Sequence, residues 1–382
     1  MYIYLTAPNA RVQRIHDEAY LLPRTHAGGT VAHDLNKFQD ELQTERRTVS
    51  FDSYDITIRQ LVDMFRDNEL DISPEYQRRF VWNEERQSQL IESAFLGIPI
   101  PSLYMATNPD STWEVVDGVQ RLCTLINFCG DTDIRRRIGK EAPLVIAGLE
   151  KLESLNSTNF EELPKSIQLM FLTRPLRVTV LNDKSDQHVR FDLFERLNTG
   201  GVALTQQEIR NCLYQGPLND HLKKQATTPS LQKAVKLKAS DQENGTREEY
   251  VLRFYAYLER YEQFDHSVRD FLNDYMREML QSGPKRKSRA AFADTFKFLE
   301  GALPTGIVRG GRVSLTPVNL YEAIAVGTAL ALEKRRPDVA MQKKVLSLLN
   351  DKTMKRLTTG ATNSKKAVAS RIHFVRDSLL AA

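Results

Sequence analysis

The chain has 382 residues, 41% hydrophobic and 27% charged, an ordinary soluble composition with length for two or three domains. No run approaches the roughly 18 apolar residues of a membrane span. The start, Met1-Tyr2-Ile3-Tyr4-Leu5-Thr6-Ala7-Pro8, lacks the basic-then-apolar pattern of a signal peptide, so no membrane association and a cytoplasmic location are expected.

The net charge of +4 is unevenly placed. Ser282 to Ala382 holds 19 Lys and Arg against 7 Asp and Glu, a charge of +12, against −8 for the 281 residues before it. Such asymmetry is the footprint of a nucleic-acid contact; a solvated face or the complement of an acidic domain fits it equally. Cys123, Cys129 and Cys212 show no Cys-x-x-Cys or Cys-His spacing, so they read as small core residues rather than zinc ligands.

Residues 1–48 have mixed polarity, a Gly28-Gly29 pair and no clear period, and read as an extension with one short helix near Asp34 to Glu45. Order is expected from Phe51. Thr57 and Gln60 form a capping-box signature ahead of Ile58, Leu61, Val62 and Phe65, which places an amphipathic helix at about 58–68. A strand Leu70 to Ser73 leads into a loop dense in aromatic and cationic groups, Pro74 to Trp82. Asn83 then caps a helix that Gly97 stops.

Two apolar strands, Ser102 to Ala106 and Trp113 to Asp117, flank the turn Asn108-Pro109-Asp110-Ser111, which predicts a hairpin. A helix at 119–129, a basic loop (Arg135, Arg136, Arg137), a helix near 160–172, a strand Leu176 to Leu181 and a helix at about 186–197 follow. Thr205 and Glu208 form a second capping box, opening a helix through Tyr214. Beyond Gly216 strand signals nearly vanish, and helical periods run over 248–262, 267–280, 289–303, 317–333, 338–350 and 365–380. The expected organisation is an extension (1–48), a mixed α/β domain (49–215) and a basic helical domain (216–382).

The segment richest in chemistry is Trp113-Glu-Val-Val-Asp-Gly-Val-Gln-Arg121. A strand delivers Asp117 into a glycine turn, and Gln120 and Arg121 follow at a helix start. Free N–H groups at a helix N-terminus favour an anion, and an arginine beside them points to phosphate. Asp117 can hold a divalent cation or orient water there. The plainer alternative is an Asp–Arg pair that pins a turn.

Three segments in this order, Ile72 to Trp82 (ISPEYQRRFVW), Asp117 to Leu122 (DGVQRL) and Phe194 to Thr205 (FERLNTGGVALT), resemble the N-terminal domain of GmrSD-type modification-dependent restriction enzymes. Glu248 to Phe254 (EEYVLRF) and Ser370-Arg371-Ile372 resemble the downstream part of stand-alone members. The resemblance implies an α+β fold, with a ParB- and sulfiredoxin-like α/β domain on a small mixed sheet and an all-helical C-terminal domain. It also implies nucleotide binding without a P-loop; indeed no Gly-x-x-x-x-Gly-Lys-Ser/Thr occurs in the chain.

Carried over by position, Asp117, Gly118, Gln120 and Arg121 match the Asp-Gly-Gln-Gln-Arg motif associated with nucleotide binding or hydrolysis. Val119 stands where the first glutamine is usual, which weakens the case for hydrolysis more than for binding. Implied cofactors are Mg2+, held by Asp117, and a nucleoside triphosphate. Arg121 would clamp a phosphate, Gln120 would position a water, and Asp117 would act as ligand or base. Tyr76, Gln77, Arg78 and Arg79 would bind the nucleotide, as would Asn198, Gly200 and Gly201 by close backbone approach. The structural alternatives are core wedges for the aromatics and a plain interhelical turn for the glycines.

Two-part enzymes of this group cut DNA with a C-terminal His-Asn-His nuclease. Here His221, His266 and His373 are far apart and lack the accompanying pattern, so that cutting chemistry is not expected. The leading expectation is a component of a prokaryotic anti-phage, restriction-type defence system that binds and can hydrolyse a nucleoside triphosphate. It would contact DNA through Lys285, Arg286, Lys287 and Arg289, or a separate effector nuclease, with a homo-oligomer also compatible. A DNA-binding adaptor or antitoxin-like regulator with a degenerate pocket is the alternative. A metal-dependent nuclease ranks third, because only one carboxylate is well placed for it.

Overall fold

Five strands make one mixed sheet in the order β1-β5-β3-β4-β2, with β1 at Phe51–Thr57, β2 at Leu70–Asp71, β3 at Leu103–Thr107, β4 at Trp113–Asp117 and β5 at Pro175–Leu181. The computed structural model describes residues 50–72, 80, 82–108, 110–182, 187–197, 204–310, 315–360 and 363–382. The expected N-terminal extension and its helix lie outside the described residues. Thr48–Ala382 forms one compact unit.

The hairpin expected from the Asn108–Ser111 turn is present: β3 and β4 pair antiparallel, with a register shift between Tyr104 and Met105 that leaves Tyr104 opposite Asp117. β5 runs parallel to β3 and antiparallel to β1, and β2 runs parallel to β4. β1 was not expected as a strand. Its first five residues are exposed, so it shows none of the alternation that marks a half-buried strand. Its pairing with β5, from Phe51 opposite Leu181 to Thr57 opposite Pro175, makes it one. β2 is shorter than the expected Leu70 to Ser73, covering only Leu70–Asp71 among the described residues.

Helix α1 (Ile58–Arg66) begins where the capping signature predicts, the Thr57 hydroxyl accepting the Gln60 N–H at 3.2 Å, and it buries Ile58, Leu61, Val62 and Phe65. Helix α2 (Glu84–Leu96) is capped by Asn83 and ends at Gly97, whose φ of +72° is the left-handed stop that glycine permits. Helix α3 (Val119–Cys129) follows β4 directly. Burial pushes the Cys123 thiol up to about 12, so it stays protonated and packs as a small apolar side chain.

The basic loop is a correction. Thr132–Arg137 forms a short helix, α4, capped by Asp131. Arg135 is buried and donates to the Gly130 carbonyl at 2.6 Å, while Arg137 donates to the Phe65 carbonyl at 2.7 Å with its guanidinium 4.1 Å above the Phe65 ring. Two of these three arginines therefore lock local backbone and are not a ligand surface. The helix expected near 160–172 divides into a 3-10 turn, Phe160–Glu162, and α5 (Lys165–Leu172). Helices α6 (Gln187–Leu197) and α7 (Gln206–Leu213) complete this half, α7 opening on the expected Thr205/Glu208 capping box.

The rest is helical. Among the described residues it contains α8 (Pro217–Ala226), α9 (Pro229–Ala234), α10 (Thr246–Arg260), α11 (Val268–Met279), α12 (Arg286–Ala302), α13 (Val318–Leu332), α14 (Val339–Leu348), α15 (Lys352–Thr358) and α16 (Lys365–Leu380). α9 and α15 carry too few turns to show a period, α8 was not expected, and proline at the first position opens α8 and α9. One apolar core gathers side chains between Ile56 and Cys212 and another those between Tyr214 and Leu379; Leu213 packs against both.

Polar contacts run across that junction. Arg210 of α7 is fully buried and donates to Asn273 of α11 at 2.8 Å and to Glu249 of α10 at 3.0 Å. Glu249 also accepts from Arg253 at 2.7 Å; Arg253 reaches Glu322 of α13 at 2.7 Å, and Glu322 pairs with the fully buried Arg371 of α16. The family-like residues Glu249, Arg253 and Arg371 thus belong to one chain of ion pairs joining α7 to three helices of the other core. On the surface, Arg269 of α11 meets Asp192 and Glu195 of α6 at 3.4 and 3.0 Å.

Candidate functional site

β4 ends at Asp117, and Gly118 turns the chain into α3 with φ +100°. Glycine is required twice over here. The backbone lies in the left-handed region, and a Cβ would stand 2.3 Å from a Leu103 methyl and 3.1 Å from the Arg121 guanidinium. Among the described residues no side chain caps α3, whose first turn begins at Val119 and carries Arg121.

Arg121 donates to Asp117 Oδ2 at 2.6 Å, with side-chain exposures of 13% for the arginine and 33% for the aspartate. The pair is partly shielded yet reachable from solvent. Asp117 Oδ1 has no hydrogen-bond partner among the described residues, so one oxygen remains to meet a cation that also binds phosphate. Mg2+ is ordinarily held this way, by one or two carboxylates with phosphates and waters supplying the rest, and the single carboxylate fits that requirement. No cluster of three or more His, Cys, Asp or Glu side chains suited to a metal occurs among the described residues.

Val119 is only 6% exposed and lies in the core between sheet and helices. The departure from the family-like pattern therefore falls on a core-facing position, while Asp117, Gln120 and Arg121 stand at the turn. Gln120 accepts the Trp82 N–H at 3.2 Å; Gln87 donates to the Trp82 carbonyl at 2.8 Å; Asn127 donates to Gln87 at 2.9 Å. This polar chain anchors the end of the aromatic and cationic loop to α3, and Arg86 lies 4.6 Å over the Trp82 ring. Periodicity gives no hint of it, because the Trp82–Gln120 and Gln87–Asn127 partners are 38 and 40 residues apart.

Asp117, Gly118, Gln120 and Arg121 are thus brought together. Tyr76, Gln77, Arg78 and Arg79 lie outside the described residues, as do Asn198, Gly200 and Gly201, although α6 packs against β4. Glu114, the second residue of β4 and buried at 4% exposure, is a second carboxylate on the strand that leads into the turn. A charged residue inside an apolar strand was its only sequence signal. A surface cleft of about 830 Å³ lies at the other end of β4, where Trp113 stacks on Tyr54 at 5.7 Å.

Lys285, Arg286, Lys287 and Arg289 gather at the start of α12, which opens at Arg286 rather than at the expected 289. Arg289 holds the preceding turn through the Pro284 and Ser282 carbonyls at 2.8 and 3.0 Å, and Lys287 pairs with Glu333. The side chains of Lys285 and Arg286 are exposed and have no ion-pair partner among the described residues.

Comparison with known proteins finds a likeness over the segment that carries the turn. Residues 58–215 match the GmrSD restriction endonuclease, N-terminal domain. The GmrSD N-terminal match opens at the first residue of α1 and closes two residues after α7, so it contains the whole Asp117–Arg121 turn together with Arg210. No curated protein matches the chain. A solved structure, the C2221 form of a Pnob8-like ParB-N domain, aligns over 87% of this chain and 99% of its own at 11% identity, with a TM-score of 0.22. The small mixed sheet followed by helices agrees with the expected fold class. No described helix is long and apolar enough to cross a membrane.

Proposed function

We propose that the turn between β4 and α3 binds the phosphates of a nucleoside triphosphate with Mg2+, in a component of a restriction-type defence system whose helical half contacts DNA or a separate nuclease. The observation that carries this reading is the half-shielded Arg121–Asp117 pair over Gly118 at an uncapped helix start. An incoming phosphate can take the Arg121 guanidinium and the α3 N–H groups, while Asp117, released from Arg121, turns to the cation. The restriction context comes from the GmrSD domain match. DNA contact through Lys285 and Arg286 rests on their exposure and on the basic bias of the last hundred residues.

A second reading, binding without turnover in an adaptor or regulator, is favoured by one feature. Gln120, the residue available to orient an attacking water, has its side-chain oxygen engaged by the Trp82 N–H. Thermal unfolding with each nucleoside triphosphate and Mg2+, paired with a phosphate-release assay, separates the two. Both readings require the wild type to be stabilised by a nucleotide and Arg121→Ala not to be. Phosphate release that vanishes in Asp117→Ala and Gln120→Ala supports hydrolysis, and its absence from the wild type selects binding alone. A wild type whose melting temperature ignores every nucleotide overturns both.

A further inference from the structure

Most of the positive charge of the helical half lies away from Lys285 and Arg286. Between Val339 and Ser370 the sequence carries seven Lys and Arg and a single carboxylate, Asp351. That carboxylate is engaged, accepting the Met354 N–H at 2.9 Å as the cap of α15. The same stretch contains no aromatic residue.

The fold sorts these cations. On α15, Met354 packs in the apolar core and Thr358 is buried, while Lys352, Lys355 and Arg356 are exposed. Spaced three and four residues apart, they make one stripe along the outer face of the helix. Six residues beyond α15, Lys365 and Lys366 stand exposed in the first turn of α16, which packs on α15. None of the five has an ion-pair partner among the described residues. The first turns of α15 and α16 hold no acidic residue. Cations at those positions oppose the helix dipole, so they do not serve the helices that carry them.

Arg309 is an independent sign of an anion. It donates from Nε to the Leu349 carbonyl at 3.0 Å, at the end of α14, and from Nη2 to the Thr358 hydroxyl at 2.8 Å, at the end of α15. The guanidinium is half-buried, both partners are neutral, and Nη1 makes no hydrogen bond among the described residues. Burial lowers its pKa, with no carboxylate to offset the loss of water. A partly buried charge is ordinarily paired, and this one lies unpaired at the C-terminal end of the stripe.

We infer that α15, the start of α16 and Arg309 form a surface that binds the phosphate backbone of a DNA duplex without reading its bases. The choice of DNA rests on the proposed role of the helical half, but the main contact moves away from Lys285 and Arg286. Around Lys285 stand Glu259, Asp294 and Glu333, whereas the stripe has only the engaged Asp351 beside it. Without aromatics there is no platform on which the bases of a single strand can stack. Nor does α15 expose an apolar side chain, which the core of a protein interface or insertion into a membrane requires.

Fluorescence anisotropy of the full chain tests this with two labelled DNA duplexes of unrelated sequence, a single strand, polyglutamate as competitor and vesicles containing phosphatidylserine. If the five exposed cations each meet one phosphate, log K falls with log salt at a slope near −4.5. Affinity for either duplex should then drop about 500-fold between about 50 and 200 mM salt. The triple variant Lys352→Gln, Lys355→Gln, Arg356→Gln keeps two contacts and should drop only about tenfold over that range. Arg121→Ala, and Lys285→Gln combined with Arg286→Gln, should behave as wild type. Melting temperatures check that each variant is folded. Should the triple variant melt early, Lys365→Gln with Lys366→Gln reads the same effect as a drop of about 40-fold. The inference is overturned if folded stripe variants keep wild-type affinity and salt dependence, or if the single strand binds more tightly than the duplexes. It is equally overturned if polyglutamate displaces the duplex as well as unlabelled duplex does, or if the vesicles bind as tightly with the same loss in the triple variant. Loss of duplex binding in the Lys285 and Arg286 variant alone overturns it and leaves the proposed function standing. A wild type that binds no duplex at low salt overturns both DNA contacts, and leaves nucleotide binding at the turn to its own test with Arg121→Ala.

Discussion

The Asp117–Arg121 turn and the ion-pair chain from Arg210 to Arg371 use the same two functional groups and do opposite things with them. At the turn, one arginine meets one carboxylate at the surface end of a strand, both partly open to water and each with a single described partner. In the helical half, Glu249 and Glu322 are shared among Arg210, Arg253 and Arg371, and both end arginines are fully buried. An ion pair with a carboxylate one-third exposed is partly screened by water and weaker than one sealed on all sides, as Glu322–Arg371 is. A buried pair costs much desolvation, and once formed it is expensive to break, because removing one partner strands the other charge in a low-dielectric interior. The first arrangement suits a site that must trade partners with a ligand, the second a joint that must not.

The largest expected effect comes from breaking the joint. Glu322 is 1% exposed and bridges Arg253 and Arg371, so Glu322→Ala should destabilise the chain by about 3–5 kcal/mol, read from denaturant unfolding. A loss under about 1 kcal/mol would show that water reaches the network and would erase the contrast with the turn.

An intermediate effect is expected from acid. Burial pushes the Glu249 carboxyl up, but Arg253 and Arg210 more than reverse it and leave it below its ordinary value. A carboxyl depressed in the folded state contributes stability above its unfolded pKa, near 4.3, and loses that contribution as pH falls through the folded value. The stability gap between wild type and Glu249→Gln should therefore be full at neutral pH and close below about pH 4. A gap independent of pH would mean that the glutamate acts by shape alone.

The smallest effect belongs to the turn. Arg121→Ala should change unfolding free energy by about 0–1 kcal/mol while removing nucleotide-dependent stabilisation, a dissociation that thermal melts with and without nucleotide can read. A cost like that of Glu322→Ala would instead make Arg121 a structural bolt, the plainer alternative that the motif always allowed.

How far the sequence is legible follows the same division between local and distant causes. Thr57, Asn83 and Thr205 as helix caps, the hairpin about Asn108–Ser111 and the long helices of the second half are all readable, because capping and periodicity act over a few residues. β1 is not readable, since its register comes from a strand more than a hundred residues away. Nor is the fate of the arginines. Arg135, Arg137 and Arg210 look as available as Arg121 in a string of letters, yet three serve backbone carbonyls or buried carboxylates and one stands at the turn.

By itself the sequence determined where the chain turns and caps. It also determined that a carboxylate, a glycine and a guanidinium meet after β4, since five residues at a strand-to-helix turn leave them no other place. Tertiary structure alone decided that Val119 faces the core, that Gln120 is tied to Trp82, and that α7 is joined to the helices beyond it through Arg210. The physical reason is range. Backbone sterics and capping hydrogen bonds are settled within a turn or two, whereas burial and charge pairing depend on which distant surfaces exclude water together.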